Sequence, residues 1–352
     1  MRVAVLSYPM LFQTGGGLRM KVSRTVDALN RRGLEARLVD TVRESLRDFD
    51  LVHVFTPYNG NYRIVEQAKS DGMPVVLSTI FTEPFSRLEG VRARLLSFLI
   101  RRFSGWKMTT SYQQSLGALI AADHLVALGT VEKRILVEAY GIPEPKISIV
   151  QNGIGDEFFS ASATPFRDAY PDLGPFVLHV GLIGEQKNQL GLIRALRADD
   201  VDVVLLGHVG QTKRDYLNAC IQEGRGRVRY LGELPHGPMM ASAYAAANVV
   251  AIPSEYEGMP NAILEALASD RPAVLTKNHT MDLDLPPDVA REVVPDDEAA
   301  IRTSVLHFFK NPPPPGRARS IVSSMNWDSV AAQLEDIYRN AVITRADLPI
   351  NA

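Results

Sequence analysis

The chain has 352 residues, with 38 Lys and Arg against 40 Asp and Glu, a formal net charge of −2 that carries no global signature of nucleic-acid binding. Apolar residues make up 46% and charged residues 22%, an ordinary globular composition, and the length exceeds what one core usually organises, so two domains are expected. Cys220 is the single cysteine, which excludes an internal disulfide and a Cys-rich metal cage and fits a reducing, cytoplasmic location. The N-terminal "MRVAVLSYP" is too short and lacks the small-residue site of a secretory signal. No apolar run approaches the roughly 20 residues that cross a bilayer.

Short β-rich runs alternate with helix-length amphipathic segments. "RVAVLSY" leads into a glycine-rich turn and a helical run from Leu18 to Arg32, followed by "EARLVD". Then come "LVHVF", a helix around Arg63–Lys69, "PVVLST", a helix around Val91–Phe103, the short run "MTTSY", "ADHLVALG", a helix around Val131–Tyr140, and "KISIVQNG". The small-residue and proline-rich stretch Ser160–Pro175 reads as a linker. Alternation resumes with "FVLHVG", a helix from Asn188 to Arg197, "VDVVLLG", a helix around Arg214–Glu223, "VRYLG", a helix around Pro238–Ala247, "VVAIPS", a further helix and "PAVLT". Asp328–Ala341 reads as a terminal helix. The pattern predicts an α/β protein of two Rossmann-like parallel-sheet domains in tandem: residues 1–162, residues 163–327, and a terminal segment 328–352 that returns to the first domain. Two such sheets facing each other would leave a ligand cleft at their strand ends.

Charge divides unevenly, with +4 over residues 1–165 and −6 over the remainder. The positive excess sits in "SRLEGVRARLLSFLIRRFSGWK", where Arg87, Arg92, Arg94, Arg101, Arg102 and Lys107 face Glu89 alone, interleaved with Val91, Leu95, Leu96, Phe98, Leu99 and Phe103. Such a basic amphipathic segment, residues 87–107, suits peripheral contact with an anionic membrane; an ordinary crossover helix with a solvated face is the blander reading.

Three turns carry chemistry. Gly15, Gly16 and Gly17 precede a helix start, where backbone N–H groups can approach an anion, although neither a Walker A ending nor G-x-G-x-x-G is present. In "HVGLIGEQKN", Gly181 and Gly184 form a strand-to-helix turn with Lys187 just ahead of the helix, well placed to neutralise a phosphate. In "IPSEYEGMPNAILEALASDRPAVL", Glu255 and Glu257 precede a helix whose first turn suits Pro260, and Asn261 and Ala262 would offer N–H groups. Favourable helix-dipole placement accounts for the loop acids but not for Glu265, one turn further in. A carboxylate there suits a ligand with paired hydroxyls such as ribose.

The run "PSEYEGMPNAILEALA", with its Glu, seven residues, Glu, resembles the signature of the retaining, nucleotide-sugar-dependent glycosyltransferases of family 4, which have the GT-B fold. "ADHLVAL…VEKRILVEAYGIPEPKISIVQNGIGDEFF", "HVGLIGEQKNQLGLIRAL", "VRYLGELPHGPMMASAYAAANVVAIPS" and "WDSVAAQLEDIY" agree in the same order, so the resemblance covers nearly the whole chain. It implies that Glu265 holds the ribose hydroxyls, that Glu257 contacts the donor sugar, and that Lys187 neutralises the diphosphate. Glu257 and Lys187 would then be the catalytic pair. The backbone around Met259, Asn261 and Ala262 would meet sugar and diphosphate, and Gly181, in the Lys187 turn, would also belong to the donor site. Gly15, Gly16 and Gly17 would approach the phosphates, the backbone of Leu231–Pro235, including Leu234, would border the base, and Asn152-Gly153 would lie near the domain crossing. The expected donor is a nucleoside-diphosphate sugar, the acceptor a glycan or lipid-linked hydroxyl in bacterial cell-surface polysaccharide synthesis, with no further cofactor, no metal and no nucleic-acid partner.

Three positions depart from the family pattern. Leu182 stands where an Arg usually follows the glycine, "PVVLSTIFTEP" has no His after its strand, and Asp270 with "TKNHTMDLD", including His279, replaces a glycine and a Gly-Gly loop. These departures leave a degenerate, binding-only relative as the alternative to an active transferase. The absent G-x-G-x-x-G argues against a dinucleotide-dependent enzyme.

Overall fold

The computed structural model describes residues 1–13, 17–81, 87–103 and 108–346. Gly15, Gly16 and Lys107 lie outside them, as do the side chains of Arg87 and Arg101. The chain divides into two compact units, Met1–Gly153 with the segment from Trp327 onward, and Ile154–Asn326. The division therefore falls at Gly153 rather than after residue 162. Ser160–Pro175 is no linker: it carries the helix Thr164–Ala169, and the Phe166 N–H donates to the Ser242 hydroxyl at 2.9 Å. Fully burying that phenyl ring contributes about 2 kcal/mol, enough to hold a stretch whose composition alone reads as loose.

Among the described residues each unit holds a six-stranded, all-parallel sheet. In the first, β1 (Arg2–Leu6), β2 (Glu35–Leu38), β3 (Leu51–Phe55), β4 (Val75–Ser78), β5 (His124–Ala127) and β6 (Ile147–Ile149) lie in the order β2-β1-β3-β4-β5-β6. β3 and β4 are buried along their whole length, as central strands covered on both faces must be. One face packs Val22 and Leu29 of the helix Gly17–Arg31 against Val330 and Leu334 of the helix Trp327–Ala346. The other face is covered by Ala118, Leu119 and Leu136. "MTTSY" is not extended: the Thr110 side chain caps a helix, Ser111–Ala121, by accepting from the Gln113 N–H. The chain leaves the unit at Gly153, where a Cβ would stand 2.7 to 2.8 Å from Trp327, so only glycine lets the outgoing and returning segments pass.

In the second unit β7 (Phe176–Val180), β8 (Asp202–Leu206), β9 (Val228–Tyr230), β10 (Val249–Ile252), β11 (Ala273–Thr276) and β12 (Ala290–Val293) lie in the order β12-β11-β10-β7-β8-β9. Succession runs outward from β7 in one direction and from β10 in the other. The carboxyl ends of β7 and β10 therefore flank the switch point, where ligands of open parallel sheets bind. The turns after these two strands hold Lys187 and Glu257. β12 and the helices Glu298–Lys310 and Arg317–Val322 complete the unit; none of the three is evident from the sequence pattern.

Candidate active site

The turn after β7 is Gly181-Leu182-Ile183-Gly184. The Gly181 N–H donates to the Leu206 carbonyl at 2.9 Å and Ile183 N–H to that of His208, so the turn continues the sheet beyond its last strand residue. Close passage requires glycine at 207, whose φ is +148° and where a Cβ would collide with the Gly181 carbonyl. A short 3₁₀ turn, Glu185–Lys187, then Asn188 at φ +53°, bring the chain into the helix Gln189–Leu196. Lys187 is thereby held ahead of that helix and folded back over Gly181, its Cδ and Cε within 3.6 to 3.7 Å of where a Cβ there would stand. Leu182 points outward, half exposed, and its carbonyl accepts from Gln189 Nε2.

The turn after β10 brings Glu257 to Lys187. Lys187 Nζ stands 2.6 Å from Glu257 Oε1, and the Ser254 hydroxyl donates to the same oxygen at 2.6 Å. The Glu257 side chain is 10% exposed. Its N–H donates to the Asn278 carbonyl, which ties the turn to the loop carrying His279. His279 Nδ1 accepts from the Met281 N–H, so Nε2 carries the hydrogen and donates to Glu292 at 2.9 Å. His279 thus braces the loop behind Glu257 rather than facing a ligand.

Beneath Lys187 lies a histidine that the sequence reading passes over. His179, in the middle of β7, is fully buried; Nδ1 donates to the Ala251 carbonyl at 2.8 Å, while Nε2 has no partner. Nε2 lies 3.8 Å from the Cβ position of Gly181. Burial, with the nearby Lys187 charge, pushes the imidazole down to about 3, so the ring is neutral.

Pro260 occupies the cap of the helix Asn261–Ala268 rather than its first turn, and its carbonyl accepts from Ile263 and Leu264. The Ala262 N–H, in the first turn of this helix, has no acceptor among the described residues. Glu265 sits in the second turn, 12% exposed, with Oε1 2.8 Å from His236 Nε2. His236 Nδ1 is 3.7 Å from Glu157 Oε1. The Tyr244 hydroxyl is wholly buried beside Glu265 with no hydrogen-bond partner among the described residues; burial, then the Glu265 charge, hold its pKa well above the ordinary phenol value. Leu231 and Leu234 are half-buried against the same core, in the loop that delivers His236.

Glu257 and Glu265 share one arrangement. Each fixes Oε1 to a protein donor and leaves Oε2 without a protein hydrogen bond among the described residues. A carboxylate anchored by one oxygen and open at the other accepts a hydroxyl without first losing rotamer freedom. The second unit alone assembles Lys187, Glu257, Glu265, Gly181 and the start of the helix at Asn261. In the first unit Gly17 opens the helix Gly17–Arg31, and the Asn152 side chain accepts from the buried Lys21 ammonium at 2.9 Å. Ile80, in the stretch after β4 that lacks a histidine, is held at φ +44°, a strained position for a β-branched residue.

Residues 3–158 match a family model described as Glycosyltransferase Family 4, and residues 174–311 one described as Glycosyl transferases group 1. An uncharacterized glycosyltransferase of Methanocaldococcus jannaschii is 33% identical over 163 residues, 42% of this chain and 41% of that protein. O-antigen chain mannosyltransferase B of Escherichia coli is 26% identical over 176 residues, 47% of this chain and 45% of that protein. The matches thus span less than half the length of these curated relatives. The solved structure of Anabaena HepE in complex with UDP superposes with a TM-score of 0.71 at 16% identity, covering 97% of this chain and 100% of that one. With two Rossmann-like sheets in tandem and both family models matched in order, the chain belongs to the family 4, group 1 glycosyltransferases of GT-B fold.

Proposed function

We propose that the protein is a retaining glycosyltransferase that moves a sugar from a nucleoside-diphosphate sugar to a hydroxyl of a glycan or lipid-linked acceptor, in the synthesis of a cell-surface polysaccharide. The observation that carries this reading is the pair of half-anchored carboxylates, Glu257 and Glu265, on one turn and helix at the switch point, with Lys187 beside the first. Breaking the sugar–phosphate bond develops positive charge at the anomeric carbon and negative charge on the diphosphate. Lys187, released from Glu257, together with the Ala262 N–H, would stabilise the leaving group without reorganising solvent. Glu257 Oε2 would hold a sugar hydroxyl and Glu265 the ribose. The acceptor would enter on the face that the diphosphate leaves, its proton passing to the departing phosphate oxygen, and no metal is needed in this scheme. The UDP held by HepE and the mannosyl transfer named for the Escherichia coli relative support a nucleotide-sugar donor and a polysaccharide product. Incubation with UDP-, GDP- and ADP-sugars should release nucleoside diphosphate with one of them. Failure of every member to bind at millimolar concentration would overturn the reading.

A second reading, binding without transfer, is favoured by one observation: Leu182 is an exposed apolar side chain where a cation would assist the diphosphate. Restoring that cation separates the two.

The basic helix Arg87–Phe103 supports peripheral attachment to an anionic membrane, at whose cytoplasmic face a lipid-linked acceptor would be met. Leu95, Leu96, Phe98 and Phe103 are each more than half exposed, alongside the exposed Arg92 and Arg102. Among the described residues no helix is long and apolar enough to cross a membrane. Flotation with anionic liposomes should show binding that weakens as salt rises. Absence of binding at low salt would remove this attachment and leave the transferase reading intact.

A further inference from the structure

We propose that His236 is a positioning residue for the nucleotide: it clamps one oxygen of Glu265 so that the other is presented to a ribose hydroxyl. The proposal rests on the nucleotide-sugar reading above. Three elements converge on this carboxylate. The loop after β9 brings His236, whose Nε2 lies 2.8 Å from Oε1; a carboxylate only accepts, so Nε2 carries the hydrogen. The short helix Asp156–Phe159 brings Glu157, 3.7 Å from Nδ1, and Phe158, whose ring meets the imidazole edge to face at 5.1 Å and fixes its plane. The helix Pro238–Ala246 brings the buried, unpartnered Tyr244 hydroxyl to the same carboxylate.

A purely structural pair would close on itself, and this one does not. Glu265 is too deep in its helix to serve as a cap, and among the described residues Oε2 accepts no protein hydrogen bond. Without His236 the carboxylate would have Oε1 free as well, and its side chain would sample other rotamers, so ribose binding would have to order it. With His236 in place, the ribose finds one oxygen already aimed and a second lone pair on Oε1 for the neighbouring hydroxyl. His236 never touches the reacting atoms, so its effect belongs in nucleotide affinity and not in the chemical step.

The test uses the full-length chain, titrated calorimetrically with UDP, GDP and ADP. For the nucleotide that the wild type binds, His236→Ala should weaken binding about ten- to hundredfold, the range expected for loss of a hydrogen bond to a charged group. Turnover at saturating donor should hold within about threefold. His236→Gln, whose amide nitrogen reaches the place of Nε2, should recover most of the affinity. In a Glu265→Ala background, His236→Ala should add less than about twofold, because the histidine acts only through that carboxylate. Unchanged affinity in His236→Ala, or full additivity with Glu265→Ala, overturns the proposal while leaving the transferase reading standing. A wild type that binds none of the three nucleotides overturns both.

Discussion

Each unit carries one histidine in the middle of a central strand, and the two are treated differently. His53 in β3 has both nitrogens engaged, Nδ1 with the Tyr338 hydroxyl at 2.6 Å and Nε2 with the Ser78 hydroxyl at 2.9 Å. It ties the terminal helix to the sheet it packs on. His179 in β7 has one nitrogen engaged and the other bare, under the turn that holds Lys187. Both are fully buried and neutral. A closed set of bonds marks a residue used to hold the fold. An orphaned acceptor is costly to keep, so its position beneath the turn that holds Lys187 sets it apart from His53.

On that contrast, the group above His179 should matter more to activity than anything near His53. Lys187→Met should reduce turnover by about 10²- to 10³-fold, the size of a lost preorganised contact to a leaving group. Folding should persist, because Glu257 keeps the Ser254 hydroxyl. Nucleoside-diphosphate release under saturating donor measures it, and a loss below tenfold would detach Lys187 from the diphosphate.

The next effect separates the histidines by stability. His53→Phe strands two buried hydroxyls and should cost about 2–4 kcal/mol, with transfer activity unaffected in the remaining folded protein. His179→Phe strands only the Ala251 carbonyl and removes an orphan nitrogen, so about 1–2 kcal/mol is expected. Urea unfolding of both variants checks the order, and a reversed order would break the comparison.

The strands of both sheets were legible because buried parallel strands read as continuous apolar runs, "LVHVF" and "VVAI" among them. β12 was not: "AREV" is a short edge strand with Arg291 and Glu292 partly outside, and it has no apolar run to detect. The helix Ser111–Ala121 was hidden by the Thr-Thr that precedes it, where β-branched residues suggest a strand although one of them is a cap. Glu257, Glu265 and Lys187 could be read from local spacing after a strand. His236 and Glu157 could not, since they meet Glu265 only through packing of the short helix Asp156–Phe159 and the loop after β9. The isolated His in "FVLHV" was the one available hint of His179, and a strand histidine is by itself no sign of a site.

Acid sharpens the comparison further. Burial holds both imidazoles near 3, against an ordinary value of 6.5. Below 6.5 the unfolded chain takes up a proton that the folded chain refuses. Stability is therefore complete above that pH and falls as pH drops toward 3, by about 2 kcal/mol per histidine at about pH 5. His53→Phe and His179→Phe should each flatten the urea midpoint against pH by that amount. An unchanged slope in either variant would mean that its imidazole is protonated within the fold.

The smallest expected effect comes from Leu182→Arg. The position follows Gly181 directly, half exposed, on the turn that Lys187 folds over. A guanidinium there could add a charge-assisted contact to the diphosphate worth about 1.5–3 kcal/mol if fully desolvated, but solvent screening reduces it to about 1 kcal/mol. With Lys187 already in place, the transferase reading expects wild-type activity and roughly a fivefold gain in the variant. Activity in the variant alone would convert the natural protein into a binder whose diphosphate site lacks one cation. Slower turnover in the variant would mean instead that the exposed leucine contacts the donor. Fold disruption does not account for any of these outcomes, because the side chain is half exposed and the hydrogen bond Leu182 makes among the described residues is through its carbonyl, which the substitution keeps.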